Sequence, residues 1–388
     1  MKYIISLGLF LISLGFVRSE GMVFHHGTWA EALALSKESG QLIFVDAFTT
    51  WCGPCKLMSA KTFPQKAVGE FYNANFINVK LDMERGEGLQ FADTYNVSSY
   101  PSLFYIDGDG KLVMKAVGYM DADKFIDAGK SALKKNDKTA LYAKAYDSGK
   151  KDYATVYHYI RALNQAGKPS LKIANEYINA QKDLNTPENF KLIYEAAIES
   201  DSRIFDLLVK YKEPLNELFG ADKVKTRMLQ AGHKTVKKAV EYQSVDLLTA
   251  AQDKINTVLP EEKDAFEFNS NLDYYTSTGD AENLYKAMKK MPASAEKDPE
   301  MLYSLAVAVE KSFNADPKLV GMCEQLLPKV INAASPIEHQ FMLARIYALN
   351  QKNDKASRLI DQVISQAKAK KMDVLAMEQF KFRLGGLN

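Results

Sequence analysis

Two cysteines, Cys52 and Cys55, are the residues most suited to chemistry, and they stand three positions apart with Gly53 and Pro54 between them. A pair at this spacing can form a structural disulfide, supply half of a metal site, or act as a redox centre. The chain of 388 residues has one other cysteine, Cys323, so it is not a scaffold held together by many disulfides. The residues around the pair must decide among these three readings.

A metal site at this pair is not supported by the rest of the sequence. Structural zinc sites are four-coordinate, so ligands from elsewhere in the chain would have to complete the site. The histidines lack a spacing that would supply them; they are His25, His26, His158, His233 and His339. The sequence therefore predicts no metal and no cofactor. Cys323 lies in an apolar helical pattern, where an unpaired cysteine usually packs as a small hydrophobic residue, and its role is left open.

The position of the pair favours the redox reading. It follows an apolar run at residues 42–45, which predicts a buried strand, and it opens a predicted helix. The unpaired N–H groups and the dipole at a helix start stabilise an anion, so the pKa of Cys52 should fall below the roughly 8.5 of a free thiol. Cys52 is then the nucleophile, and Cys55 resolves the mixed disulfide by attacking Cys52. A structural disulfide across two residues would contribute little stability.

Residues 45–56, VDAFTTWCGPCK, resemble the active-site stretch of the thioredoxin family. The resemblance implies that Asp46, six residues before Cys52, is a buried acid that exchanges protons with Cys55. It also implies that Lys80 lies near that acid. Cys52, Cys55, Asp46 and Lys80 are thus the expected catalytic residues, and the implied activity is that of a protein-disulfide oxidoreductase.

The same resemblance implies a surface that binds the substrate beside the cysteines. Pro101 matches the cis proline that faces the disulfide and leaves the preceding backbone free to pair with an incoming peptide. Gly118 matches a glycine that lets the substrate approach, and Tyr100 is a bulky aromatic where thioredoxins carry an aliphatic residue. The expected substrate-binding residues are Trp51, Gly53, Pro54, Tyr100, Pro101 and Gly118.

The organisation of the chain changes near residue 135. Strand and helix patterns alternate before this point, and nearly every later apolar pattern has a helical period. The resemblance covers residues 24–135, so we expect an α/β thioredoxin-like domain at residues 20–135 and an all-α domain at residues 136–388. Residues 343–347, LARIY, with Ala356 nine positions later, resemble a tetratricopeptide repeat. The helical domain is expected to consist of helix hairpins, either as such TPR-like repeats or without a true repeat.

Residues 1–19 have the pattern of a secretory signal peptide. Lys2 precedes an apolar stretch at residues 3–17, and Arg18 and Ser19 lead to the expected cleavage site. The stretch is shorter than the roughly 20 residues of a membrane span. We expect a mature protein in the bacterial periplasm; the alternative is an uncleaved segment that anchors the protein in the inner membrane.

The expected partners follow from the cysteine motif and the compartment. The Gly-Pro dipeptide is that of low-potential thioredoxin, which favours a reductant of protein disulfides. A reductant in an oxidising compartment needs an electron donor, and a membrane thiol transporter is the implied one. The 50 basic and 48 acidic residues nearly balance, which argues against a nucleic-acid partner. The alternative function is an adaptor, in which the helical domain docks a client and the thioredoxin-like domain mainly supplies a binding surface.

Overall fold

The computed structural model describes residues 21–385. It divides the chain into two compact units, with the boundary between Ala180 and Gln181. The signal peptide predicted for residues 1–19 lies outside the described residues. Within the described part of the chain, no helix combines the length and apolar character needed to cross a membrane.

The first unit combines a sheet with helices. Its strands are β1 Leu42–Phe48, β2 Phe76–Asp82, β3 Ser102–Ile106 and β4 Leu112–Val117. Its helices are α1 Trp29–Ser39, α2 Gly53–Leu57, α3 Lys66–Asn75, α4 Glu87–Thr94, α5 Ala122–Lys135, α6 Thr139–Asp147, α7 Tyr153–Gln165 and α8 Leu171–Ala180. A π-helical segment, Met58–Thr62, continues α2.

The sheet has the strand order β2-β1-β3-β4, with β1 parallel to β2 and antiparallel to β3. Alternate residues of β1 face opposite sides of the sheet. Phe44 packs in one core with residues of α3 and α5, and Val45 packs in the other with residues of α1 and α4. Because both faces are covered, residues 42–47 are all buried. The register places Asp46 opposite Lys80 on β2 and Leu103 on β3.

Local signals account for several ends of these elements. The Thr28 hydroxyl accepts a hydrogen bond from the Glu31 N–H, and the Glu31 carboxylate accepts one from the Thr28 N–H, which caps the start of α1. The Asp107 carboxylate accepts from the N–H groups of Asp109 and Lys111 in the turn between β3 and β4. The Asp-Gly pairs at residues 107–110, between two apolar runs, predict a hairpin turn, and the antiparallel pairing of β3 with β4 confirms it.

The helix that begins at the cysteine motif changes its winding after one turn. The Phe63 N–H donates to the Met58 carbonyl, five residues earlier, which defines the π-helical segment. The proline beyond this helix is Pro64, so it does not kink the helix interior. The π-helical segment therefore sets which residues beyond Cys55 face the sheet.

The second unit is helical throughout its described elements. Its α-helices are α9 Pro187–Ala196, α10 Arg203–Lys210, α11 Lys212–Phe219, α12 Ala221–Tyr242, α13 Val245–Val258, α14 Lys263–Thr278, α15 Ala281–Met288, α16 Pro299–Ser312, α17 Pro317–Val330, α18 Ile337–Leu349, α19 Asn353–Ala369 and α20 Leu375–Gly385. Ala344 and Ala356, from the sequence resembling a tetratricopeptide repeat, are both buried, on α18 and α19. The α/β elements end with α5 at Lys135, whereas α6 to α8 belong to the first compact unit. The predicted domain boundary after residue 135 stays a prediction.

One predicted helix cap is wrong, although the helix starts within one residue of the predicted position. The sequence Ser335-Pro336-Ile337-Glu338 predicts a capping box with Ser335 as the capping residue. In the structure the cap is Pro336, without a side-chain bond, and α18 begins at Ile337. The Ser335 hydroxyl instead accepts from the Asn332 N–H, and the Ser335 N–H donates to the Asn332 carbonyl. This preceding turn occupies the hydroxyl that would have capped the helix.

Candidate active site

The two cysteines form a disulfide at the start of α2, with Cα atoms 5.3 Å apart. Cys52 is the capping residue of this helix, and its sulfur accepts a hydrogen bond from the Cys55 N–H at 3.2 Å. A sulfur in this position faces the unpaired N–H groups of the first turn, which would stabilise a thiolate after reduction. Both cysteines are buried, while Gly53 and Pro54 between them are exposed. The motif therefore presents its backbone to solvent and keeps its sulfurs largely covered.

Trp51 is 64% exposed but is held by two contacts. Its indole N–H donates to the Glu84 carboxylate at 2.8 Å. Its ring meets the Tyr100 ring edge to face, with centroids 5.8 Å apart. These contacts fix a large aromatic surface next to the disulfide, and the bulky Tyr100 forms part of it.

Pro101 and Gly118 lie at the same end of the sheet as the disulfide loop. The register pairs Ala47 near the end of β1 with Ser102 at the start of β3, which brings residues 100–101 to the end of β1. The Tyr100–Pro101 peptide bond is cis, as the resemblance implies. The Gly118 N–H donates to the Pro101 carbonyl at 2.9 Å. Gly118 has a φ of +94°, and apart from its two chain neighbours no residue among 21–385 has an atom within 4 Å of where a Cβ would be, so the space above it is open.

Asp46 is a carboxyl group buried within the sheet, with 1% of its surface exposed. Neither carboxylate oxygen has a hydrogen-bond partner among the described residues. The Lys80 ammonium is 3.5 Å from Oδ2. Burial raises the pKa of Asp46 to about 6, although the charge of Lys80 acts in the opposite direction. A carboxyl group with this pKa can take up and release a proton near neutral pH.

Lys80 is 30% exposed and has partners besides Asp46. Its Nζ donates to the Ser59 hydroxyl at 2.6 Å. The same ammonium lies 4.9 Å from the centroid of the Phe48 ring and within 6 Å of those of Phe24 and Phe63. Ser59 comes from the π-helical segment, so this segment contacts the site through a polar group.

Comparison with known proteins agrees with this geometry. Residues 29–133 match the family model of the thioredoxin-like domain. A thioredoxin from Mycoplasma genitalium is 36% identical over 85 residues, which make up 22% of this chain and 76% of that protein. This chain belongs to the thioredoxin family.

The chain is also similar to two proteins whose names refer to disulfide chemistry. The thiol:disulfide interchange protein DsbD of Pseudomonas fluorescens is 26% identical over 98 residues, which span 24% of this chain and only 17% of that protein. The solution structure of a candidate disulphide-isomerase from Bacteroides thetaiotaomicron is 38% identical, covers 29% of this chain and 94% of its own, and superposes with a TM-score of 0.28.

The family assignment confirms the resemblance seen in residues 45–56 and the predicted fold class. A thioredoxin-like α/β region is followed by a mostly helical region. The predicted enzyme class, a protein-disulfide oxidoreductase, is confirmed at this level by the family and by the Cys52–Cys55 disulfide. The two thioredoxin cysteines stand at the junction of β1 and α2, where the sequence pattern places them.

The structure adds two residues that the sequence analysis did not single out. Glu84 binds the indole of Trp51, and Ser59 binds the ammonium of Lys80. Glu84 lies just beyond β2 in a turn, and Ser59 lies one helical turn beyond Cys55. Spacing offered a weak signal for Ser59, because a residue four positions after Cys55 lies on the same helix face. No local signal pointed to Glu84.

Two other candidates for chemistry are a metal site and the thiol of Cys323. Among residues 21–385, no three His, Cys, Asp or Glu side chains are arranged to hold a metal ion. Cys323 is buried on α17, and burial raises its pKa to about 12. Its thiol therefore stays protonated at neutral pH.

Proposed function

We propose that this protein is an exported reductant of disulfides in other proteins, acting through the Cys52 and Cys55 dithiol. The observation that carries the proposal is the disulfide at the start of α2, where the Cys52 sulfur accepts the backbone N–H of Cys55. The buried Asp46, with a pKa of about 6, supports it because resolution requires a proton acceptor.

The proposed reaction transfers two electrons from the dithiol to the substrate. In the reduced enzyme the Cys52 thiolate attacks one sulfur of the substrate disulfide and releases the other as a thiolate, which takes up a proton. Asp46 accepts the proton of the Cys55 thiol, and the Cys55 thiolate attacks the Cys52 sulfur. The enzyme disulfide forms, and the second substrate thiolate leaves and takes up a proton. Lys80 stabilises the Asp46 carboxylate while it is charged.

The proposed binding surface surrounds the disulfide. Trp51 and Tyr100 supply an aromatic face, and the exposed Gly53 and Pro54 let a chain approach the sulfurs. The open space above Gly118 and the backbone before Pro101 accommodate an extended peptide, which can pair through main-chain hydrogen bonds. An extended, locally unfolded segment fits this surface better than a folded one.

The direction of electron flow is proposed from the Gly-Pro dipeptide. We expect a reduction potential of about −270 mV, the value characteristic of thioredoxin. A measured potential of about −120 mV, the range of strong oxidants in the family, would contradict a reducing role.

The compartment is proposed from residues 1–19 and supported by the similarity to a thiol:disulfide interchange protein. The mature chain is expected to begin at Glu20 and to receive electrons from a membrane dithiol donor. The mass of the protein purified from detergent-solubilised whole cells tests this proposal. A mass that retains the first 19 residues would favour the membrane-anchored alternative.

Insulin reduction tests the enzyme directly. The wild-type chain should reduce insulin with dithiothreitol as the electron source, and Cys52→Ser should abolish the reaction. Cys323→Ala is the matched control, because this cysteine is buried on α17 and its variant should keep full activity. Insulin reduction retained in Cys52→Ser would contradict the enzymatic proposal. Biological activity retained in the same variant would favour the adaptor.

Trapping identifies the substrate. In Cys55→Ala the mixed disulfide on Cys52 cannot be resolved from within the enzyme, so substrates should stay covalently attached. Adducts that dithiothreitol releases are the expected result. The absence of any adduct that depends on Cys52 would contradict exchange with protein disulfides.

A further inference from the structure

The ammonium of Lys80 is shared unequally between two oxygen acceptors. Its distance to the Ser59 hydroxyl is 2.6 Å, and its distance to Oδ2 of Asp46 is 3.5 Å. Hydrogen bonds from nitrogen to oxygen span roughly 2.7–3.2 Å, so the contact with the carboxylate is longer than a hydrogen bond. The carboxylate accordingly has no hydrogen-bond partner among the described residues. The neutral hydroxyl therefore takes the short bond that the charged carboxylate would be expected to attract.

The surroundings keep the Lys80 ammonium close to Asp46. Ser59 is half-buried in the π-helical segment. The rings of Phe24, Phe48 and Phe63 lie around the ammonium, with centroids 4.9 to 5.8 Å away, and their faces attract a cation. Loss of the hydroxyl would leave the ammonium in this aromatic enclosure beside Asp46.

We propose that Ser59 is a positioning residue, whose hydroxyl competes with Asp46 for the Lys80 ammonium and holds it beyond hydrogen-bonding distance of the carboxylate. The inference deepens the proposed function, on which its kinetic consequence rests. A carboxylate without a hydrogen-bond donor is a stronger proton acceptor than one paired directly with an ammonium. Ser59 thus sets the pH at which Asp46 can accept the proton of Cys55.

Few other charges act on Asp46. Lys80 on β2 is the one charged side chain of the described chain with an electrostatic effect on its pKa. On the opposite side, β3 places the uncharged Leu103 beside it. The helix after the motif carries Lys56 and Lys61, which are exposed, and the disulfide does not titrate. A change at Ser59 is therefore transmitted to Asp46 through Lys80.

The experiment follows the side-chain carboxyl carbon of Asp46 by NMR during a pH titration of the oxidised full-length protein. In Ser59→Ala the ammonium can move onto the carboxylate, so the Asp46 midpoint should fall by about one pH unit. Ser59→Thr keeps a hydroxyl and should restore the wild-type midpoint. Ser131→Ala removes another serine hydroxyl, on α5, and should leave the midpoint unchanged.

Two outcomes would overturn the inference. An unchanged midpoint in Ser59→Ala shows that the hydroxyl does not compete, and a raised midpoint shows that Ser59 only anchors Lys80 beside Asp46. The Lys80→Gln background provides a second test, because Ser59→Ala should have no effect on Asp46 once the ammonium is gone. A shift that persists there would also overturn it.

The titration of the oxidised protein does not depend on enzymatic activity. If the wild-type protein failed to reduce insulin, the proposed function would be contradicted. The effect of Ser59→Ala on the Asp46 titration could still be interpreted. If the enzyme is active, the pH profile of the resolving step should move to lower pH in Ser59→Ala by the same amount as the Asp46 midpoint. A profile that does not move would contradict the kinetic part of the inference.

Discussion

At the scale of single residues, Asp46 makes the stability of the fold depend on pH. Its pKa is raised from the ordinary value of 3.8 to about 6 by burial. Between these two values the native state binds more protons than the unfolded state, so the free energy of unfolding falls as pH rises. The free-energy cost of burying the charged carboxylate is absent below about pH 4 and fully present above about pH 6. A shift of about two units corresponds to about 3 kcal/mol.

Asp46→Asn removes this dependence. The free energy of unfolding of the oxidised variant minus that of the oxidised wild type should be about 3 kcal/mol larger at pH 8 than at pH 4. Urea unfolding of both proteins at both pH values measures it. Asp93→Asn, which removes an exposed carboxylate on α4, is the control and should show no such difference. An equal effect of Asp46→Asn at both pH values would show that the carboxyl group titrates normally.

The residues of the site differ in how far the sequence could indicate them. Cys52 and Cys55 lie in a specific local string, and Asp46 lies in the same string, so a motif was sufficient to locate them. Ser59 and Glu84 acquire their partners only when distant segments meet, across 21 and 33 residues. Common residue types with long-range partners leave no pattern that one sequence can display.

At the scale of elements, α5 shows how closely the helices pack on the sheet. A Cβ at Gly129 would lie 2.5 Å from the Phe71 ring and 3.1 Å from the Tyr72 hydroxyl. Tyr72 cannot easily move, because its hydroxyl hydrogen-bonds to Tyr105 and to the Phe125 carbonyl. Gly129 is thus required by packing between α3 and α5.

Two glycine-to-alanine changes in helix interiors should have opposite effects. Gly129→Ala should destabilise the protein by about 1–3 kcal/mol, because it overpacks this contact. A Cβ at Gly321 on α17 would meet no atom of the described chain within 4 Å beyond its chain neighbours and the backbone of its own helix. Gly321→Ala should therefore stabilise the protein by about 0.5–1 kcal/mol, because alanine loses less entropy than glycine in a helix. Urea unfolding of the full-length variants measures the change in the free energy of unfolding for both. A stabilising Gly129→Ala would mean that the two helices are less tightly packed than the structure shows.

Most elements of the first unit could be predicted, for physical reasons. Their apolar periods are clear, and residues such as Thr28 and Asp121 are strong capping signals. The π-helical segment could not be predicted, because it depends on how the helix packs beyond Cys55. Ser335 was misassigned because a turn with Asn332 competes for its hydroxyl, and two local interactions of similar strength cannot be ranked from sequence.

At the scale of the whole molecule, the sequence indicated where the α/β region ends but did not indicate the boundary between the two compact units. The change in composition near residue 135 coincides with the end of α5. The inclusion of α6 to α8 in the first unit depends on long-range contacts, which local periodicity does not encode. The presence of a mostly helical region was predictable, since amphipathic patterns with a helical period recur along it. Its TPR-like character remains a prediction.

The proposed disulfide exchange depends on easy ionisation of the Cys52 thiol. The direct measurement is the rate of iodoacetamide alkylation of the reduced protein as a function of pH, in a Cys323→Ala background that leaves only the two motif thiols. We predict that Cys52 reacts first, with a midpoint well below the roughly 8.5 of a free thiol, since the start of α2 stabilises its thiolate. A Cys52 that reacts with the rate and midpoint of a cysteine in an unstructured peptide would contradict the account.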